Sequence, residues 1–369
     1  MRHACKKNGV LCAILLSVIA FSGVTGAARA ADYQVSEENK PKLLVSLPDY
    51  GNTPDGMTLD EKTGDIYLSS PNYNDETYPG VMLKIDPQNR QSIYYVLPQH
   101  PDTKRGCPMG LDIGPDGNIY VADNQYFYNK RVGKTALSRL IRIKRDAQGN
   151  PLGDSIAVDG LGLANAVLWM DDAVYVTDTV LDIPGKPGMG CIWRFTKEEL
   201  DKGTVHVTPR LHEPHIIASF QCIPNDRDDL SASDGITRDS NKNLYVGNFG
   251  NGVMYKVTQG AGGNWTSKEL VNDPKLSCCD GIFCDLKTDL IYVTDSAKNA
   301  VHVVTPKGKW STLWQNGDTD GSDGGLDQPC EAVIRGDELI LANFDMPFPG
   351  LTNSGYDKCH SLSVIKLKR

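Results

Sequence analysis

Short stretches in which apolar and polar residues alternate fill most of this chain, and one phrase built from them occurs six times. The phrase contains an apolar stretch, a hairpin rich in Gly, Asp and Asn, and a second strand that ends in small polar residues. Its copies begin at Pro54, Pro108, Ala164, Ser233, Cys279 and Cys330. Alternation with a period of two predicts half-buried β-strands. Repetition of the phrase predicts similar units packed side by side.

Each copy is followed by a third alternating strand, and five copies are followed by a fourth. The sixth copy ends at the C-terminus after its third strand, which begins at Ser361, whereas a strand-like segment from Lys42 precedes the first copy. We therefore predict an all-β fold, a six-bladed β-propeller with four-stranded blades whose last blade is closed by the N-terminal strand. Two β-sandwiches would also use such short strands, but they would not explain the missing strand. Helix is expected only around residues 196–200.

The N-terminus has the features of a secretory signal peptide. Three basic residues at positions 2–7 precede an apolar run from Val10 to Val24, and the small residues that follow fit cleavage after Ala30. The run is short for a membrane span, so a retained anchor is the less favoured alternative. The predicted organisation is a signal peptide over residues 1–30 and one propeller over residues 31–369, exported to a periplasm or out of the cell.

The net negative charge of the chain limits the kinds of partner that we expect. The chain has 38 Lys and Arg against 46 Asp and Glu, a formal net charge of −8, and removal of the basic signal peptide makes it more acidic. A nucleic-acid partner is not expected, because phosphates attract a basic surface. We expect a small-molecule substrate, no membrane contact after signal removal, and a monomer.

The cysteines are expected to form disulfides. Ten occur, of which Cys5 and Cys12 lie in the signal peptide, and export favours oxidation of the rest. Cys278 or Cys279 could pair with Cys330, because these residues begin neighbouring inner strands. A zinc site is the alternative, but the chain lacks two Cys-x-x-Cys pairs.

Equivalent positions of the six copies should converge on the axis, because the innermost strand of each propeller blade lines the central channel. The heads of these strands, in chain order, are Asp55, Met109, Asn165, Asp234, Asp280 and Glu331. Four carboxylates so close together would repel one another. Carboxylate and amide oxygens without His or thiolate suit Ca²⁺. We therefore predict a calcium site formed by Asp55, Asn165, Asp234, Asp280 and Glu331.

Acidic residues also have structural explanations. Asp-Gly before a strand can be turn chemistry, as expected for Asp116 at the opposite end of its strand, but Asn165 and Glu331 are not followed by Gly. The acid-rich loop from Asp318 to Asp327 departs from the EF-hand pattern and is expected to be a solvated turn, with a second bound ion as the alternative. The convergent set is therefore the favoured metal site.

Four long loops are expected on the same face as the convergent acids. They span residues 71–80, 124–137, 179–189 and 344–360. Their aromatic residues should roof a pocket for a ligand with apolar or ring surface. We predict that Met109, Tyr126 and Phe344 contact the substrate. Packing of the aromatic side chains against one another is the alternative.

The repeat phrases resemble those of the gluconolactonase and regucalcin family of six-bladed propellers, the senescence-marker-protein type, to which paraoxonase and diisopropylfluorophosphatase are related. The resemblance covers the whole mature chain. It implies a channel calcium held by residues that map onto Asp55, Asn165 and Asp234. It also implies calcium-dependent hydrolysis of a lactone, an ester or a related bond, with Asp234 as general base or nucleophile.

The chain departs from that family at two places. Asp55 stands where the family usually has Glu, and Cys107-Pro108-Met109 replaces the family's Arg-x-Asn pair for sugar lactones, which disfavours such substrates. The phrase is also similar to NHL repeats, as in the strand from Gly117 to Asp123. A non-catalytic propeller that binds a protein or small molecule is therefore the alternative. The convergent acids favour the enzyme, because a pure binding module does not need them.

Overall fold

The computed structural model describes residues 35–368. The predicted signal peptide lies outside the described residues. Among the helices of the described part, none is long and apolar enough to cross a membrane.

The strands form six sheets, each a blade of the propeller. The first described strand, β1 (Lys42–Ser46), belongs to the last blade. Blade 1 consists of β2 (Met57–Leu59), β3 (Ile66–Ser70), β4 (Val81–Ile85) and β5 (Gln91–Val96). Blade 2 contains β6 (Pro108–Ile113), β7 (Ile119–Asp123), β8 (Ser138–Arg145) and β9 (Pro151–Leu161). Blade 3 contains β10 (Ala164–Met170), β11 (Ala173–Asp178), β12 (Met189–Thr196) and, after the short β13 (Val205–His206), β14 (Ile216–Gln221).

The remaining blades follow the same order from the axis outward. Blade 4 consists of β15 (Ser233–Arg238), β16 (Leu244–Asn248), β17 (Met254–Gln259) and β18 (Trp265–Val271). Blade 5 contains β19 (Ile282–Asp285), β20 (Leu290–Asp295), β21 (Ala300–Val304) and β22 (Trp310–Gln315). Blade 6 contains β23 (Pro329–Arg335), β24 (Glu338–Asn343), β25 (Ser361–Lys366) and β1.

The ring is closed as predicted. The inner strands contact one another in the order β2, β6, β10, β15, β19 and β23, and β23 contacts β2 again. β1 pairs antiparallel with β25, with Lys42 opposite Val364 and Ser46 opposite Ser361. The N-terminal strand therefore supplies the outer strand that the sixth repeat lacks, and it covers an edge that would otherwise be open.

The core consists of apolar layers between neighbouring blades. Every residue of β3, β7, β11, β16 and β20 is buried, because these second strands pack on both faces. In one layer, Val301 and Leu313 of blade 5 pack with Leu341 and Ile365 of blade 6. This arrangement explains why the second strand of each repeat is rich in apolar residues.

Two short helices interrupt the strands. α2 (Lys197–Lys202) lies where helix was expected, and a capping box joins Thr196 and Glu199 at its start. α1 (Tyr126–Val132) was not expected and lies in the loop between β7 and β8. It ends at Gly133, whose φ of 65° provides the left-handed C-terminal cap that glycine favours. Gly133 is the sequence feature that could have indicated the end of this helix.

Blade 2 departs from the four-stranded prediction. β13 runs parallel to β9, with Val205 opposite Val158, so this sheet has five strands. The approach requires glycine at position 160, where φ is +86° and a Cβ would lie 2.1 Å from the carbonyl oxygen of Val207. The segment after α2 therefore crosses from blade 3 to the edge of blade 2.

Candidate active site

The heads of the inner strands carry the predicted axial residues, and several of them lie at β-bulges. The pairing of β15 with β16 shifts register between Ser233 and Ile236, which places Asp234 at the irregularity. Similar shifts bracket Asn165 in β10 and Met109 in β6. A bulge re-aims the side chain of the extra residue. The local backbone thus helps to direct these positions toward the channel.

Close packing of neighbouring inner strands explains the glycine after several axial positions. A Cβ on Gly235 would lie 2.3 Å from the carbonyl oxygen of Asp280, and one on Gly281 would lie 2.3 Å from that of Cys330. Neither glycine has a positive φ, whereas the hairpin residue Gly117 has φ +79°. The turn-chemistry alternative therefore holds for the hairpin and does not explain the axial Asp-Gly pairs.

Five side chains form what we call the axial cluster. They are Asp55, Asn165, Asp234, Asp280 and Glu331. The Nδ2 atom of Asn165 donates a hydrogen bond of 2.7 Å to Oδ2 of Asp234. The Ser296 hydroxyl donates to the carboxylate of Asp280. Polar contacts thus orient three members of the cluster, and one of these contacts joins blades 3 and 4.

The electrostatics of the axial cluster oppose full ionisation. Burial, followed by the charge of Asp280, raises the pKa of Asp55 well above its usual value. Burial and then the charges of Asp280, Asp55 and Glu331 do the same to the pKa of Asp234. Burial raises the pKa of Asp280 to about 7. In the described chain no Lys or Arg forms an ion pair with these carboxylates, so a bound cation would relieve their repulsion.

Glu331 differs from the other four members of the cluster. It does not line the cleft above them, and its Oε1 atom accepts a hydrogen bond of 2.8 Å from the backbone N–H of Ala332. A Cβ on Gly281 would lie 2.6 Å from the same oxygen. Burial and the charges of Asp55 and Asp280 raise the pKa of Glu331 well above its usual value. Glu331 therefore interacts electrostatically with the site from beside the cleft.

A cleft of about 730 Å³ opens over the other four members. Its lining includes four axial residues and the three predicted substrate contacts. These are Asp55, Asn165, Asp234, Asp280, Met109, Tyr126 and Phe344. The structure thus brings these seven residues into one concave site, and their individual roles stay predictions.

Aromatic rings form one side of the cleft. The ring of Tyr73 lies 5.3 Å from that of Phe127 and 6.3 Å from that of Phe344, in edge-to-face contacts. Phe344 stacks on Phe348 at 6.4 Å. Phe127, Phe344 and Phe348 line the cleft, so the rings both pack together and face the cavity. This wall suits a ligand with ring or apolar surface.

One charged part of the wall was missed by the sequence analysis. The loop between β14 and β15 carries Arg227, whose guanidinium lies 5.1 Å from the centroid of the Phe249 ring and 3.7 Å from Asp229. All three residues line the cleft. The loop belongs to no repeat, so comparison of the copies gave no signal for it.

The predicted disulfides are absent from the described residues. All eight cysteines there are free, and seven of them are buried. The Cys279 thiol donates to the carbonyl oxygen of Gly252 at 3.3 Å, and the Cys330 thiol donates to that of Pro54 at 3.2 Å. These thiols lie in different interblade contacts, which separates the proposed partners. Burial raises the pKa of both thiols well above its usual value, so neither favours the thiolate form that binds metals.

The donor chemistry of the axial cluster fits calcium. Its side chains offer carboxylate and amide oxygens, and the cysteine of the cleft lining, Cys330, is protonated because of its burial. Calcium accepts six to eight oxygen ligands in flexible geometry, whereas magnesium retains more of its waters. The residues present therefore match a hard divalent cation.

No protein-family model and no curated protein matches the chain. Solved structures match most of its length. A gluconolactonase from Xanthomonas campestris is 12% identical with a TM-score of 0.54, over 92% of this chain and 99% of that one. The calcium-binding protein regucalcin from Agrobacterium tumefaciens is 13% identical with a TM-score of 0.53, over 89% and 95%. Virginiamycin B lyase from Staphylococcus aureus is 16% identical with a TM-score of 0.50, over 89% and 100%. At these identities the similarity concerns architecture, and the chain has the propeller fold of gluconolactonase-like and regucalcin-like proteins.

Proposed function

We propose that the protein is a calcium-dependent hydrolase of a lactone, an ester or a related bond in a small molecule. The observation that supports the proposal is the convergence of Asp55, Asn165, Asp234 and Asp280, from four blades, at one cleft. A gluconolactonase and a calcium-binding protein share the fold, which agrees with this function. Because one fold hosts many functions, the proposal depends on the site.

The same four residues would hold the ion. When bound, Ca²⁺ supplies positive charge that polarises a carbonyl or phosphoryl oxygen and favours ionised carboxylates. The chain supplies the oxygen ligands and the partly enclosed site in which such charge acts strongly.

Asp234 is the proposed general base. Asn165 donates to one of its carboxylate oxygens at 2.7 Å, and the Thr177 hydroxyl donates to its backbone carbonyl oxygen at 2.5 Å. These contacts hold the group in one orientation, from which it removes a proton from the attacking water. The proton that Asp234 takes from the water then passes to the leaving oxygen, which regenerates the base. Direct attack by Asp234 on the substrate would use the same orientation.

The wall of the cleft favours an apolar or ring-bearing substrate. On blade 2, Met109 presents an apolar side chain to the cleft. Phe344 and Phe127 line the same cavity. A sugar lactone would leave the hydroxyl groups that face this aromatic side without partners, which is unfavourable for buried polar groups. We therefore propose aryl or alkyl lactones and esters as the substrate class.

The test compares such compounds with sugar lactones, with added Ca²⁺ or a chelator. We expect faster hydrolysis of the apolar compounds and loss of activity on chelation. Asp234→Asn should lose turnover, and Asp116→Asn is the matched control, because Asp116 also precedes Gly but lies in an exposed hairpin. Calcium binding without turnover of any compound would favour the alternative of a partner-binding propeller.

Virginiamycin B lyase has a similar fold, and a lyase cleaves bonds by elimination and not by hydrolysis. Hydrolysis in H₂¹⁸O places one ¹⁸O atom in the product, whereas elimination places none. Mass spectrometry of the product therefore distinguishes the two reactions.

We also propose that the chain is exported after cleavage following Ala30. The proposal depends on the signal-peptide pattern of the sequence. N-terminal sequencing of the mature protein should begin at Ala31, and an intact N-terminus in a membrane fraction would contradict it.

A further inference from the structure

A second group of carboxylates lies in blade 6, away from the axis. Asp327 immediately precedes Gln328 and β23, whereas Asp345 and Asp357 belong to the loop between β24 and β25. The ligand atoms of the three acids all lie within 4.8 Å of one another. We call these three residues the peripheral cluster. None of them belongs to the set that the repeats align.

The Asp327 carboxylate is buried without a partner. The residue is 1% exposed, and both of its carboxylate oxygens are buried and lack a hydrogen-bond donor. In the described part of the chain no Lys, Arg or His forms an ion pair with any member of the peripheral cluster. The expected solvated turn is therefore wrong at its end: Asp318, Asp320 and Asp323 are exposed, but Asp327 is enclosed.

The other two acids are held in place around it. Oδ1 of Asp345 accepts a hydrogen bond of 3.1 Å from Nδ2 of Asn353, and its Oδ2 atom accepts one of 2.9 Å from the backbone N–H of Asp357. Asp345 also has a φ of 50°, a left-handed conformation that is uncommon for residues other than glycine. The loop thus holds a carboxylate against Asp327 in spite of repulsion and backbone strain.

We propose that the peripheral cluster binds a divalent cation of the hard, oxygen-seeking class, Ca²⁺ being the physiological candidate. An unpaired buried carboxylate is costly, and a cation would supply its missing partner. Three carboxylates from two chain segments match the all-oxygen ligand sets of calcium. The same burial and neighbouring carboxylates raise the pKa of Asp327 to about 8.

The position of the peripheral cluster indicates what the ion would do. Asp327 adjoins Gln328 and Asp345 adjoins Phe344, and both neighbours line the cleft. The loop before Asp327 also contacts β1, since a Cβ on Gly324 would lie 1.9 Å from the backbone nitrogen of Leu43. The ion would therefore fix the aromatic wall of the cleft and the closure of blade 6 together, without contacting substrate.

The experiment measures ions bound per chain and the melting temperature of the full mature protein after chelation and calcium titration. Asp327→Asn should lose one bound calcium and its share of calcium-induced stabilisation. Asp323→Asn is the matched control, because Asp323 is an exposed acid of the same loop, and it should keep both. In chelator, Asp327→Asn should melt higher than the unsubstituted protein, because the variant buries no unpaired carboxylate.

Two further variants separate the sites and guard against misfolding. Asp55→Asn should reduce binding at the axial cluster and leave the ion that depends on Asp327, so failure of one proposal is distinguishable from failure of the other. Asp357→Asn, at a half-buried position, should repeat the loss if Asp327→Asn does not fold. The proposal is overturned if neither variant of the peripheral cluster changes the number of ions bound or the calcium-induced rise in melting temperature.

Discussion

The axial and peripheral clusters use the same side-chain chemistry but arise differently. Axial members such as Asp55, Asp234 and Asp280 come from equivalent positions of different blades. The members of the peripheral cluster come from the loop that joins blades 5 and 6 and from a loop within blade 6, and they occupy no equivalent positions. Asp234 and Asp280 have polar partners, whereas Asp327 has none. Symmetry of the repeat therefore assembles one cluster, and loop packing assembles the other.

The largest expected effect comes from removing the strand that closes the ring. Deletion of residues 35–46 removes β1, which leaves β25 as an open edge. It also removes the β1 backbone against which Gly324 packs, in the loop that leads to Asp327. We expect loss of cooperative melting in calorimetry. A truncation that stops before residue 37 is the control, and unchanged melting of the longer deletion would contradict the closure argument.

The next effect concerns catalysis and applies to the axial cluster. Asp234→Asn keeps the size of the side chain but removes the base, so turnover should fall by about 10²–10⁴-fold. Steady-state kinetics with saturating calcium measure the loss, and Asp116→Asn should keep the original rate. Full turnover by Asp234→Asn would exclude Asp234 as the base or nucleophile.

A smaller effect tests the close approach of the inner strands, which the axial cluster requires. Gly235→Ala places a methyl group where the carbonyl oxygen of Asp280 lies 2.3 Å away, so it should reduce the free energy of unfolding by about 1–3 kcal/mol. Gly262→Ala is the control, because nothing lies within 4 Å of its Cβ. Urea unfolding measures both, and equal midpoints would show that the strands can separate without cost.

The last expected effect is a pH dependence shared by both clusters in chelator. The pKa of Asp280 and of Asp345 is raised to about 7, and that of Asp327 to about 8. The folded state therefore binds more protons than the unfolded state between about pH 4 and these values. Its stability should therefore fall as pH rises through this range.

Urea unfolding of the metal-free protein between pH 5 and 8 measures this trend. Asp327→Asn should make the slope shallower, and saturating calcium should reverse the trend, because protons compete with the ion for carboxylates. Stability that rises with pH in chelator would show that the carboxylates already have counter-charges.

The sequence predicted what the repeat encodes. The six phrases predicted the six blades. The missing fourth strand of the sixth copy predicted that the segment from Lys42 completes the last blade, and the structure confirms both. The convergence of Asp55, Asn165, Asp234 and Asp280 at one cleft was predicted from the equivalent positions of the inner strands, whereas their roles at the site stay predictions.

The features outside the repeat were missed, since only contacts between non-equivalent segments define them. Arg227 lies in a loop that no other copy resembles, and α1 interrupts a segment expected to be loop. Asp327 was assigned to a solvated turn because its burial depends on a loop that follows in the sequence. The disulfide prediction used export and strand order, neither of which places two thiols side by side.

The pairing of β1 with β25 also bears on the order in which the protein can be made. Glu38 and Lys368 form an ion pair although they are 330 positions apart in the chain. β1 is therefore synthesised long before its partner β25, and it stays unpaired with β25 while the five intervening blades are synthesised. Contacts of such high sequence separation slow folding. Final closure of the ring therefore has to follow synthesis of the other five blades.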